Sequence, residues 1–280
     1  MVYADDTQVY IILNESDRAL VMPNLEKCIH DIKLWSTKND LKLNEDKTQV
    51  LHLTSRFRNS SPITSVNVCG TSVLPVVSAR NLGVIVQSDL KMDSFVNNIC
   101  RSASFSLYKI GQIRKYLDTK STELLVHALI ISHLDQCNSL LYGLPEIQLN
   151  KLQRIQNSAA RLITLTRKYD HITPILHKLH WLPIKYRVIY KVLLITFKCL
   201  HEFAPIYLQE LVKQYTPTRN LRSSSQVLLT PPLVSTQYGR RAFSFAAAEL
   251  WNNLPPHLRH IPTMNQFKSS LKTYLFDLAF

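Results

Sequence analysis

Hydrophobic positions over residues 1–90 fall into short runs that are rich in β-branched and aromatic side chains. Runs of this kind, bounded by turn residues, are typical of β-strands. They predict strands at 7–13, 48–53, 66–69, 72–77 and 81–86. The runs at 66–69 and 72–77 flank Gly70, which indicates a hairpin.

Between the first two runs, apolar residues recur three or four positions apart. This spacing predicts a helix that ends near Asn39, with Pro23 in its first turn, where proline is tolerated. The predicted apolar face of this helix consists of Leu25, Cys28, Ile29, Ile32 and Trp35.

Helical periodicity dominates after residue 90. It predicts helices at 94–117, 120–142, 148–166, 184–203 and 265–276. The first of these carries six large apolar residues: Phe95, Ile99, Phe105, Leu107, Ile110 and Ile113. A stretch rich in Thr, Ser, Pro and Arg at 215–232 is typical of a linker. The predicted class is therefore α+β, with a small α/β region at 1–90, a basic helical region at 91–214, and an irregular tail with a C-terminal amphipathic helix at 215–280.

Charge is distributed unevenly around a net value of +13. Residues 1–50 hold nine acidic and six basic side chains, whereas the rest of the chain holds eleven acidic and twenty-seven basic ones. A basic body of this kind fits a polyanion such as nucleic acid. A basic protein without such a partner is the alternative that charge alone leaves open.

The five cysteines are widely spaced and contain no C-x-x-C pair, so we expect reduced thiols and no disulfide-linked partner. Asp5 and Asp6 interrupt any apolar leader at the N-terminus. The most apolar later stretch, from Tyr190 to Phe203, is too short and too charged to span a bilayer. We expect an intracellular protein of the cytoplasm or nucleus with no membrane partner.

Tyr3-Ala4-Asp5-Asp6 is the sequence feature with the clearest chemistry. Two adjacent carboxylates at a tight turn cannot both point into a core, and they repel each other unless a cation lies between them. Mg²⁺ is a hard ion that prefers carboxylates together with substrate phosphates. The sequence therefore indicates a metal site at Asp5 and Asp6, and the alternative is an ordinary surface turn.

Three segments in order resemble the reverse transcriptases of non-LTR (LINE-type) retrotransposons. Residues 3–8, YADDTQ, resemble their C motif; residues 41–51, LKLNEDKTQVL, their D motif; and residues 80–84, RNLGV, their E motif. Later stretches resemble the region after the thumb in CR1/L2-like elements: LQRIQNSAARLI at 152–163, KYDHITP at 168–174, HWLP at 180–183 and YGRRAF at 238–243. The resemblance thus covers essentially the whole chain.

This resemblance implies part of a polymerase palm followed by a mainly helical thumb and C-terminal region. Asp5 would ligate Mg²⁺ or Mn²⁺ in the intact enzyme, and Asp6 would support it. Tyr3 and Ala4 would lie near the primer end. Lys47 would be the general acid for the leaving pyrophosphate, a role for which a surface lysine is the alternative.

The same resemblance places Leu82 and Gly83 in the primer grip, for which an ordinary strand turn is the alternative. Over residues 101–200 it places thumb-like helices, which hold fifteen basic and five acidic side chains. These helices would contact an RNA template and a DNA primer or target. Six basic residues are the candidate nucleic-acid contacts: Arg114, Lys115, Arg154, Arg161, Arg167 and Lys168. The alternative is a set of solvated helix faces.

In the family, the third catalytic carboxylate and the fingers precede the C motif, so we expect this chain alone to be inactive. The leading hypothesis is a fragment of an RNA-directed DNA polymerase that uses two-metal nucleotidyl transfer. A second hypothesis is a non-enzymatic nucleic-acid-binding remnant that uses the basic helices. A third is an unrelated α+β protein with a chance Y-x-D-D. Trp181 and Trp251 could stack on bases but are expected to be core residues.

Overall fold

The computed structural model describes residues 2–3, 6–54, 63–217 and 226–280. The chain divides into two compact units, residues 1–94 and residues 95–280. Short strands and one long helix make up the first unit, and helices make up most of the second. The α+β class predicted from the sequence is confirmed at this general level.

The described part of the first unit contains eight short strands. They are β1 (Val2–Tyr3), β2 (Asp6–Thr7), β3 (Val50–Leu51), β4 (Val66–Val68), β5 (Thr71–Val73), β6 (Pro75–Val76), β7 (Ser78–Asn81) and β8 (Val84–Gln87). Antiparallel pairs form between β1 and β2, β4 and β5, and β7 and β8, whereas β3 and β6 pair in parallel. Across the described ranges these strands form separate pairs rather than one continuous sheet.

The hairpin predicted around Gly70 is confirmed. Cys69 and Gly70 join β4 to β5, and both have positive φ angles, +55° and +104°. Two-residue hairpin loops need such angles because their twist must match that of the flanking strands. The side chain of Asn67 also accepts a hydrogen bond from the Gly70 N–H at 2.8 Å, which closes the loop.

The strand predicted at 7–13 was wrong beyond its first residue, because regular structure ends at Thr7. Of the strand predicted at 48–53, only Val50–Leu51 is a strand in the structure. The segment predicted as one strand at 81–86 contains the end of β7, the hairpin loop and most of β8. Strand-forming side chains are stabilised mainly by cross-strand neighbours. Residues 8–13 have no paired strand in the described residues, and Tyr10 and Ile12 stay exposed.

Helix α1 (Arg18–Lys38) begins five residues before Pro23, so the proline lies inside the helix and not in its first turn as predicted. The helix packs on β4, where the Glu26 carboxylate accepts a hydrogen bond from the Asn67 N–H at 3.0 Å. Trp35, predicted to face inward, is 61% exposed. A three-residue strand is too short to cover the whole apolar face of a 21-residue helix.

The remaining helices begin at the boundary of the second unit. They are α2 (Asp93–Ile113), α3 (Thr119–Val126), α4 (Ser132–Asp135), α5 (Glu146–Thr164), α6 (Thr173–Lys178), α7 (Ile184–Leu200), α8 (Ile206–Gln209), α9 (Gln237–Arg240), α10 (Phe243–Asn252), α11 (Pro256–Arg259) and α12 (Met264–Ala279). A 3-10 turn at Arg114–Tyr116 extends α2, and a π-type turn at His127–Ile131 joins α3 to α4. The helix predicted at 120–142 ends at Asp135, because Cys137 has a positive φ of +51°.

The core of the second unit lies where α7, α10 and α12 meet. The Phe197 and Phe267 rings stack with centroids 4.3 Å apart, and the Trp251 ring lies 5.8 Å from that of Phe267. The Trp251 indole N–H donates to the Val227 carbonyl at 2.8 Å. Trp181 is also buried, so both tryptophans are core residues as expected.

The segment after residue 236, predicted as irregular before its last helix, also contains α9, α10 and α11. An amphipathic surface helix has apolar residues three or four positions apart with polar residues between them. α10 lacks this pattern, because its sequence FSFAAAELWN is apolar on most sides. Helices of this kind are buried, and Ala246, Ala247 and Ala248 are all buried here. Periodicity alone therefore could not identify this helix.

Replacing Phe267 with alanine should destabilise the second unit by about 3–5 kcal/mol, because the ring is fully buried in a packed core. The matched change Phe105→Ala, at a ring that is 62% exposed, should alter the free energy of unfolding by no more than about 0.5 kcal/mol. Urea denaturation followed by far-ultraviolet circular dichroism measures both. Equal losses of unfolding free energy in Phe267→Ala and Phe105→Ala would contradict this placement of the core.

Candidate functional site

The predicted catalytic turn lies between two paired strands. Tyr3 pairs with Asp6 and Val2 pairs with Thr7 in an antiparallel register. Ala4 and Asp5, which connect them in sequence, lie outside the described residues. The Asp6 side chain is exposed to solvent. β1 and β2 thus form an antiparallel pair, and the catalytic and metal-binding roles of Asp5 and Asp6 stay predictions.

The predicted primer-grip residues form the tip of the β7–β8 hairpin. Leu82 and Gly83 are its two loop residues, with φ angles of +45° and +87°. Leucine rarely adopts a positive φ because its Cβ clashes with the backbone, and strain of this kind often occurs at functional positions. The Leu82 side chain is 43% exposed. The structure therefore shows a strand turn that presents an apolar side chain, and contact with a primer stays a prediction.

A long-range hydrogen bond links the two predicted motifs. The Gln8 side-chain amide donates to the Asn81 side-chain carbonyl across 73 positions of sequence. Gln8 directly follows β2, and Asn81 directly precedes the Leu82–Gly83 loop. The first unit therefore brings the strand after the predicted catalytic turn next to the predicted primer-grip hairpin.

Lys47, the predicted general acid, ends a 3-10 turn at Glu45–Lys47. Its backbone N–H donates to the Asn44 side chain at 3.2 Å, and the Thr48 hydroxyl donates to the Asn44 carbonyl at 2.9 Å. These two bonds fix the turn, and the Lys47 side chain extends into solvent. No described contact joins its ammonium group to Asp6, so the general-acid role stays a prediction.

The metal prediction rests on carboxylates at only two positions. Within the described ranges, no group of three or more His, Cys, Asp or Glu side chains comes close enough to hold an ion. Asp5 is not among those residues. Hard cations such as Mg²⁺ bind carboxylates together with oxygen atoms of substrate phosphates and water, and the metal role of Asp5 and Asp6 stays a prediction.

An exposed surface runs along α2 and the 3-10 turn that follows it, and of its residues the sequence reasoning found only Lys115 as a candidate contact. We call it the α2 face, and it consists of Arg101, Phe105, Tyr108, Lys109, Gln112, Lys115 and Tyr116. All seven side chains are exposed and lie on one side of the helix, because they recur at intervals of three and four residues. Phe105 and Tyr108 are each 62% exposed, and Tyr116 is 76% exposed.

Cations lie over the aromatic rings of the α2 face. The Lys109 ammonium is 5.5 Å from the Phe105 ring centroid, and the Lys115 ammonium is 4.8 Å from that of Tyr116. The Gln112 amide donates to the Tyr108 hydroxyl at 2.8 Å. Exposed aromatic rings beside cations are the usual elements of single-strand binding surfaces, where bases stack and phosphates are neutralised.

Phe105 and Ile113, two of the apolar residues on which the helix prediction rests, are exposed. The buried side of α2 is formed by other residues: Phe95, Val96, Ile99, Ala103 and Ile110. Phe105 and Lys109 are four residues apart, as are Tyr108 and Gln112. This i, i+4 pairing of aromatic and polar residues is the sequence signal that could have revealed the α2 face.

Arg114, a predicted nucleic-acid contact, is buried instead. Its guanidinium donates to the carbonyls of Leu162 and Ile163 at 2.8 and 3.0 Å, and to that of Leu117 at 2.7 Å. Leu162 and Ile163 belong to the last turn of α5, where carbonyls lack helical partners and attract cations. Arg114 therefore joins the end of α2 to the end of α5, and its burial argues against a phosphate contact. The adjacent Lys115 is exposed.

The other predicted basic contacts lie on or just after α5. Arg154 is exposed, and Arg161, seven residues on, shares its helical side. Arg161 and Lys168 line one shallow depression together with Ser158, Leu162, Leu165 and Thr166. The Arg161 Nη2 donates to the Asp170 carbonyl at 3.0 Å. Arg167 is exposed, and its backbone N–H donates to the Asp170 carboxylate at 3.1 Å. The structure thus brings Arg161 and Lys168 together at the end of α5.

No family model, no curated protein and no solved structure matches this chain.

None of the helices in the described ranges is both long and apolar enough to cross a bilayer. The five cysteine thiols are free, and burial raises the pKa of Cys199 to about 11.

Replacing Arg114 with methionine should destabilise the second unit by about 2–3 kcal/mol, because three backbone carbonyls lose a charged donor. The neighbouring change Lys115→Met removes the same charge from an exposed position and should cost no more than about 0.5 kcal/mol. Urea denaturation of both variants measures the difference. A stable Arg114→Met protein would contradict the structural role of this arginine.

Proposed function

We propose that this chain is part of an RNA-directed DNA polymerase of the non-LTR retrotransposon type, and that its second unit binds nucleic acid. The observation that carries the polymerase proposal is the hydrogen bond between Gln8 and Asn81. It joins the segment that resembles the C motif to the segment that resembles the E motif. A chance Y-x-D-D would not need a partner in the second motif.

The first unit supports a role at a primer end. Asp5 and Asp6 are hard oxygen donors that suit Mg²⁺ or Mn²⁺, and such an ion supplies charge that stabilises a primer alkoxide and a leaving pyrophosphate. The Leu82–Gly83 loop lies two residues or fewer from Asn81, so it belongs to the same end of the unit. The exposed Leu82 side chain offers an apolar contact to a primer sugar or base.

The α2 face supports nucleic-acid binding by the second unit. Aromatic stacking contributes roughly 1–3 kcal/mol per base in single-strand binding proteins. The three exposed rings of Phe105, Tyr108 and Tyr116 could each receive a base, while Arg101, Lys109 and Lys115 meet phosphates. An RNA template and a DNA primer or target are the partners that this surface would serve.

A non-enzymatic nucleic-acid-binding role is the second candidate. It is favoured by one observation, which is that the exposed rings and cations of the α2 face need no carboxylate to bind a strand. Primer extension with Mg²⁺ or Mn²⁺ that is lost on Asp5→Asn would contradict this candidate, because only a polymerase needs that carboxylate.

Site-specific photocrosslinking separates the two candidates without requiring catalysis. A DNA primer with 4-thiothymine at its 3′ end, annealed to an RNA template, should label the tryptic peptides 1–18 and 81–91, because the primer end lies between them. The same base at the 5′ end should label these peptides far less. Gln8→Ala should lower labelling of peptide 81–91, whereas the exposed control Gln49→Ala should not. Equal labelling from both ends would contradict the polymerase proposal.

Binding by the α2 face is tested with two matched phenylalanines. Phe105→Ala should weaken binding of single-stranded RNA by about 1–3 kcal/mol, because one stacking ring is lost. Phe203→Ala is the control, since its ring is equally exposed but lies outside the α2 face. Lys115→Met should also reduce the slope of log affinity against log salt by about 1. Identical affinities for both phenylalanine variants would remove the α2 face from the proposal.

A further inference from the structure

A second cleft of the second unit lies away from the residues predicted as nucleic-acid contacts. It has a volume of about 530 Å³ and lies between the loop before α5, the first turns of α7, and the α9–α10 segment. Ligand sites in proteins usually have volumes of about 300–1,000 Å³. The cleft is therefore large enough for a nucleotide-sized molecule.

Arg241 is the unexplained group in this cleft. Its side chain is partly buried, its Nε is shielded from solvent without a hydrogen-bond partner, and its guanidinium lies 5.7 Å from the Tyr238 ring. In the described ranges, no carboxylate lies within ion-pair distance of Arg241. Desolvation lowers the pKa of Arg241, and its guanidinium has no described carboxylate partner of the kind that buried cations normally have.

The loop before α5 holds Arg241 in this position. Gly143 has a φ of +70°, and a Cβ at this residue would approach the Arg241 Cγ to 2.6 Å. Only glycine leaves room for the arginine side chain to pass along the loop. The glycine at position 143 therefore allows the Arg241 side chain to occupy this position in the cleft.

The cleft also contains the carboxylate of Glu249, which already accepts a hydrogen bond from a neighbouring side chain. The Tyr142 hydroxyl donates to Glu249 Oε2 at 2.8 Å. Burial, and then the contact with Glu249, raises the pKa of Tyr142, so the phenol stays a neutral donor. Glu249 keeps a second carboxylate oxygen that can accept a hydrogen bond from a ligand.

Around these groups the lining of the cleft combines apolar and basic side chains. Leu141, Leu144 and Leu149 line it together with Val188 and Ile189 of α7. Lys185 and Arg240 add two exposed cations at its rim. A ligand that fits needs an apolar body, an anionic group and a hydrogen-bond donor, and a nucleotide has all three.

We infer that this cleft binds one unpaired nucleotide of a nucleic-acid strand, with its base against the apolar lining residues and its phosphate on Arg240 and Arg241. The inference rests on the proposed nucleic-acid binding by the second unit. A nucleotide inside a duplex cannot enter the cleft, because its base is stacked and paired. The same chemistry occurs in a free nucleoside monophosphate, so the test must distinguish the two sources.

Fluorescence anisotropy of the full chain provides the test, with a labelled single-stranded RNA and a blunt RNA–DNA duplex as probes. Arg241→Met should weaken single-strand binding roughly tenfold, because a charged hydrogen bond to phosphate is lost. Duplex binding should change no more than it does for Lys272→Met, which removes one exposed charge on α12. Arg240→Met, at an exposed position, serves as the second variant if Arg241→Met does not fold.

Three outcomes would overturn the inference. If Phe105→Ala weakens single-strand binding but Arg240→Met and Arg241→Met behave like Lys272→Met, the cleft is not used and the proposed function stands. If inorganic phosphate displaces the RNA as well as uridine monophosphate does, the cleft binds only an anion. If uridine monophosphate binding depends on Arg241 while RNA binding does not, the cleft takes free nucleotides. A chain that binds neither probe would contradict the proposed function itself.

Discussion

The guanidinium of Arg114 is the contact on which the candidate interface of the second unit depends. Its three bonds to the carbonyls of Leu117, Leu162 and Ile163 join the end of α2 to the end of α5. Burying a cation costs free energy unless its N–H groups donate hydrogen bonds. The carbonyls at a helix C-terminus lack helical partners and accept such bonds well. This contact fixes the register in which the α2 face and the basic end of α5 are presented. The same contact removes Arg114 from the surface and leaves Lys115 there.

The division between core and surface explains why the α2 face can stay exposed. α2 already buries Phe95, Ile99 and Ile110 on its other side, and the main core is formed elsewhere by Phe197, Trp251 and Phe267. The rings of the α2 face are therefore not needed for packing. Exposed aromatic rings lose favourable burial free energy, about 25 cal/mol for each Å² that stays in water. A cluster of such rings with cations above them is better explained by binding than by stability.

Local sequence signals predicted the parts of the fold that depend on neighbouring residues. The Gly70 hairpin and the helices α2, α5 and α7 follow from turn chemistry and from periodicity, and both are local. The errors arose where distant residues decide the outcome. Residues 8–13 have strand-forming side chains but no described strand beside them, and α10 is apolar on most sides because it is buried on most sides. Burial of Arg114 depends on its contact with Leu162 of α5, 48 positions away, so no pattern around residue 114 could reveal it.

The first unit shows the same limit at its candidate site. Neither the Asp5–Asp6 segment nor the Leu82–Gly83 loop contains sequence information about the other. The hydrogen bond between Gln8 and Asn81 joins the residue after β2 to the residue before the Leu82–Gly83 loop. Leu82 adds a second constraint, because a non-glycine residue with positive φ costs roughly 1 kcal/mol or more. Asparagine or glycine would relieve that strain, whereas leucine keeps an apolar side chain at the hairpin tip, where a primer contact would need it.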